Sequence, residues 1–152
     1  MKFFIDTSIF VDVLRTEFKP SSKRFLESIE KENKGFSSVI TTAELSVGAY
    51  RSNREDSIRR TLDLLSIVDL VDVNEVIALE SGKIFADLMD KGKIIELNDC
   101  IIAASSLSLG IKRIITRNIE HSIALRELKL SNPKNWGFNM LFLIIKESKI
   151  GR

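Results

Sequence analysis

Cysteine and histidine are almost missing from this chain: Cys100 and His121 stand alone among 152 residues. One cysteine excludes an internal disulfide framework and suits a reducing compartment. One histidine and no cysteine pair exclude a histidine- or cysteine-rich zinc centre. Long apolar runs are missing too, since the one at 140–145 is far shorter than the roughly 20 residues of a membrane span. The apolar opening at residues 1–5 is broken by Asp6 and Asp12, so it cannot be the core of a secretion signal. A cytoplasmic protein with no membrane segment is expected. No Gly-rich loop with a following Lys-Ser or Lys-Thr comes after a strand-like run, which excludes a P-loop nucleotide site. Internal repeats and low-complexity linkers are absent as well.

What is present describes one folded domain. Apolar residues make up 44% and charged residues 29% of the chain, a balance that supports a real core. The net charge of +2 is compatible with a nucleic-acid substrate without arguing strongly for one. Residues 2–6 read as a short buried strand, with a helix from Thr7 or Ser8. A second helix opens at Ser21 or Ser22 and ends at Gly35, and residues 36–40 read as the next buried strand. A helix then starts at Thr41, and another carries Ile58, Leu62 and Leu65. Residues 67–73 read as a third strand, and Asn74 caps a helix that stops near Gly92. Another helix runs from Asn98 to Gly110, residues 113–116 form a fourth strand, and a short helix follows from Ile119. Leu128 and Leu130 suggest a fifth strand, and Pro133 and Trp136 lie in a turn-rich segment.

Short apolar strands alternating with amphipathic helices predict a three-layer α/β/α domain with a central parallel sheet of about five strands. Residues 1–138 are expected to form the main body of one domain, and 139–152 a C-terminal extension of the same domain. The apolar run in that extension is expected to add a strand or helix covering the core or a dimer partner.

In such sheets ligands sit beyond the carboxyl ends of the strands, where strand order reverses. Asp6, Glu44 and Asn118 each follow a predicted strand, and Asp99 opens a helix that can point at the same edge. Each also has a purely local explanation. Asp6 and Asn118 are good N-caps, Thr41 with Glu44 fits a capping box, and Asn98-Asp99 fits a cap with a first-turn acid. Their conjunction is more informative than any one of them. Three acids at one rim repel each other unless a cation intervenes, and a hard ion such as Mg²⁺ or Mn²⁺ prefers carboxylate oxygens. Phosphodiester hydrolysis is the reaction these parts serve best.

At these residues the chain resembles the PIN-domain family, and within it the VapC-like toxins. Phe4-Ile5-Asp6-Thr7-Ser8 resembles the first motif of that family, and Ser38-Val39-Ile40-Thr41-Thr42-Ala43-Glu44-Leu45 with Gly48 the second. Asn98-Asp99-Cys100-Ile101-Ile102-Ala103-Ala104, then Gly110 and Thr116, resembles the third. The resemblance spans about residues 2–136. It implies a ribonuclease whose Asp6, Glu44 and Asp99 hold Mg²⁺ or Mn²⁺, with Asn118 as a fourth catalytic position and Thr7, Ser8 and Thr116 in support. It also implies an RNA substrate, a homodimer and a small antitoxin protein as partner. The last motif departs from the family pattern, with Ser122 where relatives usually carry Phe.

Arg117, beside Asn118, and Lys112 or Arg113 flank the fourth strand and are the basic residues expected to bind substrate, Arg117 first among them. Arg54, Arg59 and Arg60 alternate with acids and read as a solvated helix face. His121 is either a proton shuttle or, more simply, a polar residue on a short surface helix. Cys100 reads as a small buried residue, and Asp12 as too far along its helix to be a first-choice ligand. A haloacid-dehalogenase-like site would want a second Asp where Ser8 stands, and the acid pair and late lysine of a receiver domain are not evident. The remaining alternative is a non-catalytic PIN-like RNA-binding or assembly module.

Overall fold

Parallel strands need long crossovers, and a helix is the usual one; this chain builds its sheet that way. The structure is a computed structural model that describes residues 1–15, 20–131 and 141–144, with 126–131 and 141–144 as backbone only. The elements are β1 (Lys2–Ile5), α1 (Thr7–Leu14), α2 (Pro20–Glu32), β2 (Lys34–Ser38), α3 (Val39–Tyr50), α4 (Ser57–Leu65), β3 (Asp69–Val71), α5 (Glu75–Asp90), α6 (Leu97–Ser108), β4 (Arg113–Thr116), α7 (Ile119–Ser131) and β5 (Leu141–Ile144). The strands form one sheet in the order β3-β2-β1-β4-β5, and every pairing is parallel. The expected three-layer α/β/α architecture is therefore present.

Strand alternation divides the core into two faces. Phe3 and Ile5 of β1, with Ile115 of β4, pack against Ile9, Phe10 and Leu26. Their neighbours Phe4 and Ile114 point the other way, onto Ile102 and Ile111. Behind these, Ile84, Leu88, Cys100, Ala103 and Leu125 join α5, α6 and α7. Among the described residues no helix is long and apolar enough to cross a membrane.

Several boundaries differ from those read in the sequence. Gly35 does not end a helix; it lies inside β2, which starts at Lys34. A Cβ there would stand 2.7 Å from Ile29 Cγ2 and 2.9 Å from Val68 Cγ1, so close approach, not helix termination, explains the glycine. The following helix starts at Val39 because Ser38 Oγ accepts from the Ile40 amide. Thr41 is therefore inside α3 and is not its cap. Leu128 and Leu130 belong to α7, a helix of 13 residues where a short one was expected. The fifth strand is instead Leu141–Ile144, paired with the whole of β4. Pro133, Trp136 and most of the 139–152 tail lie outside the described residues.

Strand order fixes where chemistry can sit. The chain leaves β1 toward β2 on one side and later returns to β4 on the other, so the crevice of such a sheet opens at the carboxyl end of β1. Asp6 is the next residue.

Candidate active site

Asp6 is held by β4 and by the first turn of α1. Its amide donates to Ile115 O at 2.9 Å, which carries the β1–β4 ladder one residue past the strand. Its Oδ2 accepts from Ser8 N at 3.3 Å, Ser8 Oγ at 2.5 Å and Thr116 Oγ1 at 2.8 Å. The capping reading of Asp6 is thus correct, yet it occupies only one oxygen. Oδ1 takes no hydrogen bond among the described residues. Ser8 Oγ in turn accepts from the Arg117 amide at 3.0 Å, and Thr116 Oγ1 from the Asn118 amide at 3.0 Å. Two hydroxyls therefore tie the β4–α7 loop to Asp6.

Glu44 is held by a hydroxyl relay that starts in the sheet. Ser37 Oγ lies 2.8 Å from Ile5 O and 3.1 Å from Thr41 Oγ1. Thr41 Oγ1 is 2.9 Å from Thr7 Oγ1, and Thr7 Oγ1 donates to Glu44 Oε2 in a short contact. A hydroxyl has one proton to give. Since Thr7 gives its proton to Glu44, Thr41 must donate to Thr7, which orients the relay toward the carboxylate. Asn98 Nδ2 completes the cradle, donating to Glu44 Oε1 at 3.0 Å. Neither Thr41 nor Asn98 is the helix cap that the sequence suggested. The position before α6 is Glu96, which makes no side-chain cap bond.

Asp99, in the first turn of α6, meets His121 instead: Nδ1 and Oδ2 are 2.5 Å apart. Asn118 Nδ2 also lies 2.6 Å from Nδ1. One ring nitrogen cannot donate to Asp99 and accept from Asn118 together, so the two neighbours compete for it. The surface reading of His121 is thereby overturned. Asn118 Oδ1 accepts from the His121 amide at 3.2 Å, so it caps α7 as well as facing the site. Burial pushes the Asp99 carboxyl up from 3.8 to about 6; His121 opposes the shift, while Asp6, Glu96 and Glu44 add to it. Cys100 next to it is pushed up to about 12 by burial and by Asp99, which suits an inert core thiol.

These side chains share one cleft of about 480 Å³, whose walls include Asp6, Glu44, Asp99, Asn118 and Arg117. Behind it a niche of about 20 Å³, bordered by Asp6, Asp99, Thr116, Asn118 and His121, has room for one water. Asp12, discounted on sequence, also lines the cleft. It is buried, accepting from Ser22 Oγ at 2.6 Å and pairing with Arg117 Nε at 3.2 Å. Arg117 Nη1 further reaches Ser21 Oγ at 3.4 Å. Arg117 therefore borders the cleft while already anchored to α1 and α2.

Among the described residues no three Asp, Glu, His or Cys side chains are arranged as a finished metal site. The donor set nonetheless fits a hard divalent ion. Three carboxylates face one cleft, Asp6 and Asp99 each keep one oxygen free of hydrogen bonds among the described residues, and Asp6 and Glu44 both press on the Asp99 carboxyl. That mutual repulsion is what a cation relieves.

An open parallel sheet with a carboxylate-lined cleft at its reversal point defines the class of this protein. The chain belongs to the PIN domain family, whose model matches residues 3–124. It is similar to "Ribonuclease VapC2" of Haemophilus influenzae, 34% identical over 143 residues that cover 90% of this chain and 98% of the relative. Among solved structures, VapBC-1 from nontypeable Haemophilus influenzae is 31% identical with a TM-score of 0.67, covering 84% of this chain and 94% of that one. VapBC2 from Rickettsia felis, bound to a DNA fragment from its promoter, shares the fold with a TM-score of 0.73 at 24% identity, covering 96% and 100% of the two chains.

Proposed function

We infer that this chain is an endoribonuclease of the VapC type and the toxin of a toxin–antitoxin pair, and that it depends on a divalent metal. Its family and its ribonuclease relatives support the reaction. The VapBC complex with a 31% identical chain supports an antitoxin partner. A homodimer and a cytoplasmic setting complete the reading. The observation that carries metal dependence is the convergence of the Asp6, Glu44 and Asp99 carboxylates on one cleft.

Asp6, Glu44 and Asp99 would hold Mg²⁺ or Mn²⁺. Such an ion polarises phosphate oxygens and makes water a better nucleophile. The chain itself supplies orientation. Ser8 and Thr116 fix Asp6, and Thr7 and Asn98 fix Glu44. With Asp99 turned toward an ion, the His121 ring beside Asn118 would be left to hold or accept a proton at Nδ1.

A pool of structured RNAs, incubated with Mn²⁺ or Mg²⁺ and separately with EDTA, tests the reading. The expected result is discrete fragments that need both metal and Asp99, with Asp99→Asn slower by ~10²-fold or more. Undiminished cutting by Asp99→Asn would remove Asp99 from the site. No cutting together with no metal binding would favour the non-catalytic module.

A further inference from the structure

A polymer substrate has to leave the cleft on either side of the bond that is cut. The acid cleft shares Val11, Arg15 and Glu44 with a second groove, of about 410 Å³, between α1, α3 and α4. Its volume is in the ~300–1,000 Å³ range of ligand sites. The floor is apolar, built from Leu14, Leu45 and Ala49, and Arg15, Arg54 and Arg60 stand in its walls.

These arginines are not equivalent to others nearby. Arg54 pairs with Asp56 at 3.4 Å, and Arg59, one residue from Arg60, pairs with Asp63 at 3.8 Å. Arg60 is half-buried, and its side chain has no ion pair or hydrogen bond among the described residues. Arg15, exposed at the C-cap of α1, has no side-chain partner there either. The one acid of the groove wall, Glu44, already accepts from Thr7 and Asn98. A guanidinium drawn partly out of water without a partner favours an anion, and its planar fork suits phosphate. An apolar floor beside two guanidinium groups unpaired among the described residues matches a base and sugar flanked by phosphates.

We propose that this groove is the subsite for the RNA strand flanking the scissile phosphate, with Arg15 and Arg60 contacting the strand's phosphates. The proposal rests on the ribonuclease reading. It corrects the sequence-based assignment of Arg60 to a solvated face and leaves Arg59 there.

The test uses a single-stranded oligoribonucleotide carrying a cut site found in the pool assay, with cleavage measured in Mn²⁺ across a salt series. Arg60→Ala and Arg15→Ala are expected to raise KM by ~10-fold at unchanged kcat, because the contact acts equally on bound substrate and transition state. Each should also lower the log–log salt slope by about 0.7, the value for one phosphate contact on a single strand. Arg60→Lys should keep the slope, and Arg59→Ala should match the wild type. Thermal melting of each variant separates a lost contact from a lost fold, and Arg60→Lys serves where the alanine variant fails to fold. Wild-type KM and slope in folded Arg60→Ala would overturn the proposal while leaving the ribonuclease reading intact. Wild-type KM with weakened binding of a glutamate-rich peptide would assign the groove to a protein partner and overturn it equally. A wild-type protein that cuts no RNA would overturn the reading and the groove together.

Discussion

The two sides of the cleft are built differently. Asp6 follows β1 directly and Glu44 lies in the helix after β2, and neutral donors hold them: three contacts from Ser8 and Thr116 for the first, Thr7 and Asn98 for the second. Asp99 lies in the first turn of a helix whose preceding Glu96 makes no side-chain cap, and it pairs with the titratable ring of His121. One side is fixed before any ion arrives. The other carries a carboxyl whose ionisation is opposed first by burial and then by like charge, and it is the side whose protonation and partner can change.

The strongest test of that contrast is the pH dependence of stability. The Asp99 pKa is raised in the folded state to about 6 from 3.8, so the folded protein binds the proton more tightly than the unfolded chain. The resulting stability is fully present below about 3.8 and is lost as pH rises through about 6. In EDTA the wild type should therefore lose melting temperature across that window, and Asp99→Asn should not. At pH 7.5 the variant should melt higher by ~2–4 °C, corresponding to about 1 kcal/mol once solvent screening of a partly exposed group is allowed for. Added Mn²⁺ should raise the wild type and leave Asp99→Asn unmoved. Parallel pH curves for the two proteins would place the strain elsewhere.

A smaller effect is expected on the fixed side. Thr7→Val leaves Glu44 Oε2 without its hydroxyl donor and removes the acceptor of Thr41, whose side chain is fully buried. Stability should fall by about 1 kcal/mol, and cleavage by ~10-fold, as for other groups that orient a metal ligand. Thr7→Ser keeps the hydroxyl and should restore both. A Thr7→Ser enzyme as slow as Thr7→Val would mean that the threonine methyl, not the relay, positions Glu44.

The same contrast marks what the sequence could disclose. Asp6 was legible because an apolar run ends on it, and Asp99 because it opens an apolar helix. Fold class followed from alternation and needed no contact information. The relay to Glu44 was not legible. Thr41 and Glu44 at spacing three satisfy a capping box locally, while the contact that decides their role joins Thr41 to Thr7, 34 residues away. The Asp12–Arg117 pair links residues on different elements in the same way, and spacing from Asp6 alone discounted Asp12. Leu128 and Leu130 suit a strand by composition, but the crossover from β4 to a parallel neighbour needs a helix there. His121 was hidden by Ser122, whose departure from the family pattern suggested an altered loop. In the structure Ser122 is buried and donates to Ile119 O at 2.7 Å, and His121 is held by its amide on Asn118 Oδ1 and by its ring on Asp99.

The smallest expected effect isolates His121. Its charge lowers the Asp99 pKa against burial and the neighbouring acids, so His121→Ala should move the Asp99 titration upward. In EDTA the pH range over which stability is lost should then extend higher than in the wild type, with little change at pH 4, where Asp99 is largely protonated in either protein. Mn²⁺ should still stabilise the variant if an ion, once bound, would take the place of the imidazole as the partner of Asp99. A downward shift would mean that the ring holds the protonated carboxyl, with Nδ1 accepting, rather than the carboxylate. In that case Asn118 and Asp99 would both be donors to one nitrogen, and the exchange of His121 for a cation would have to begin with loss of a proton from Asp99.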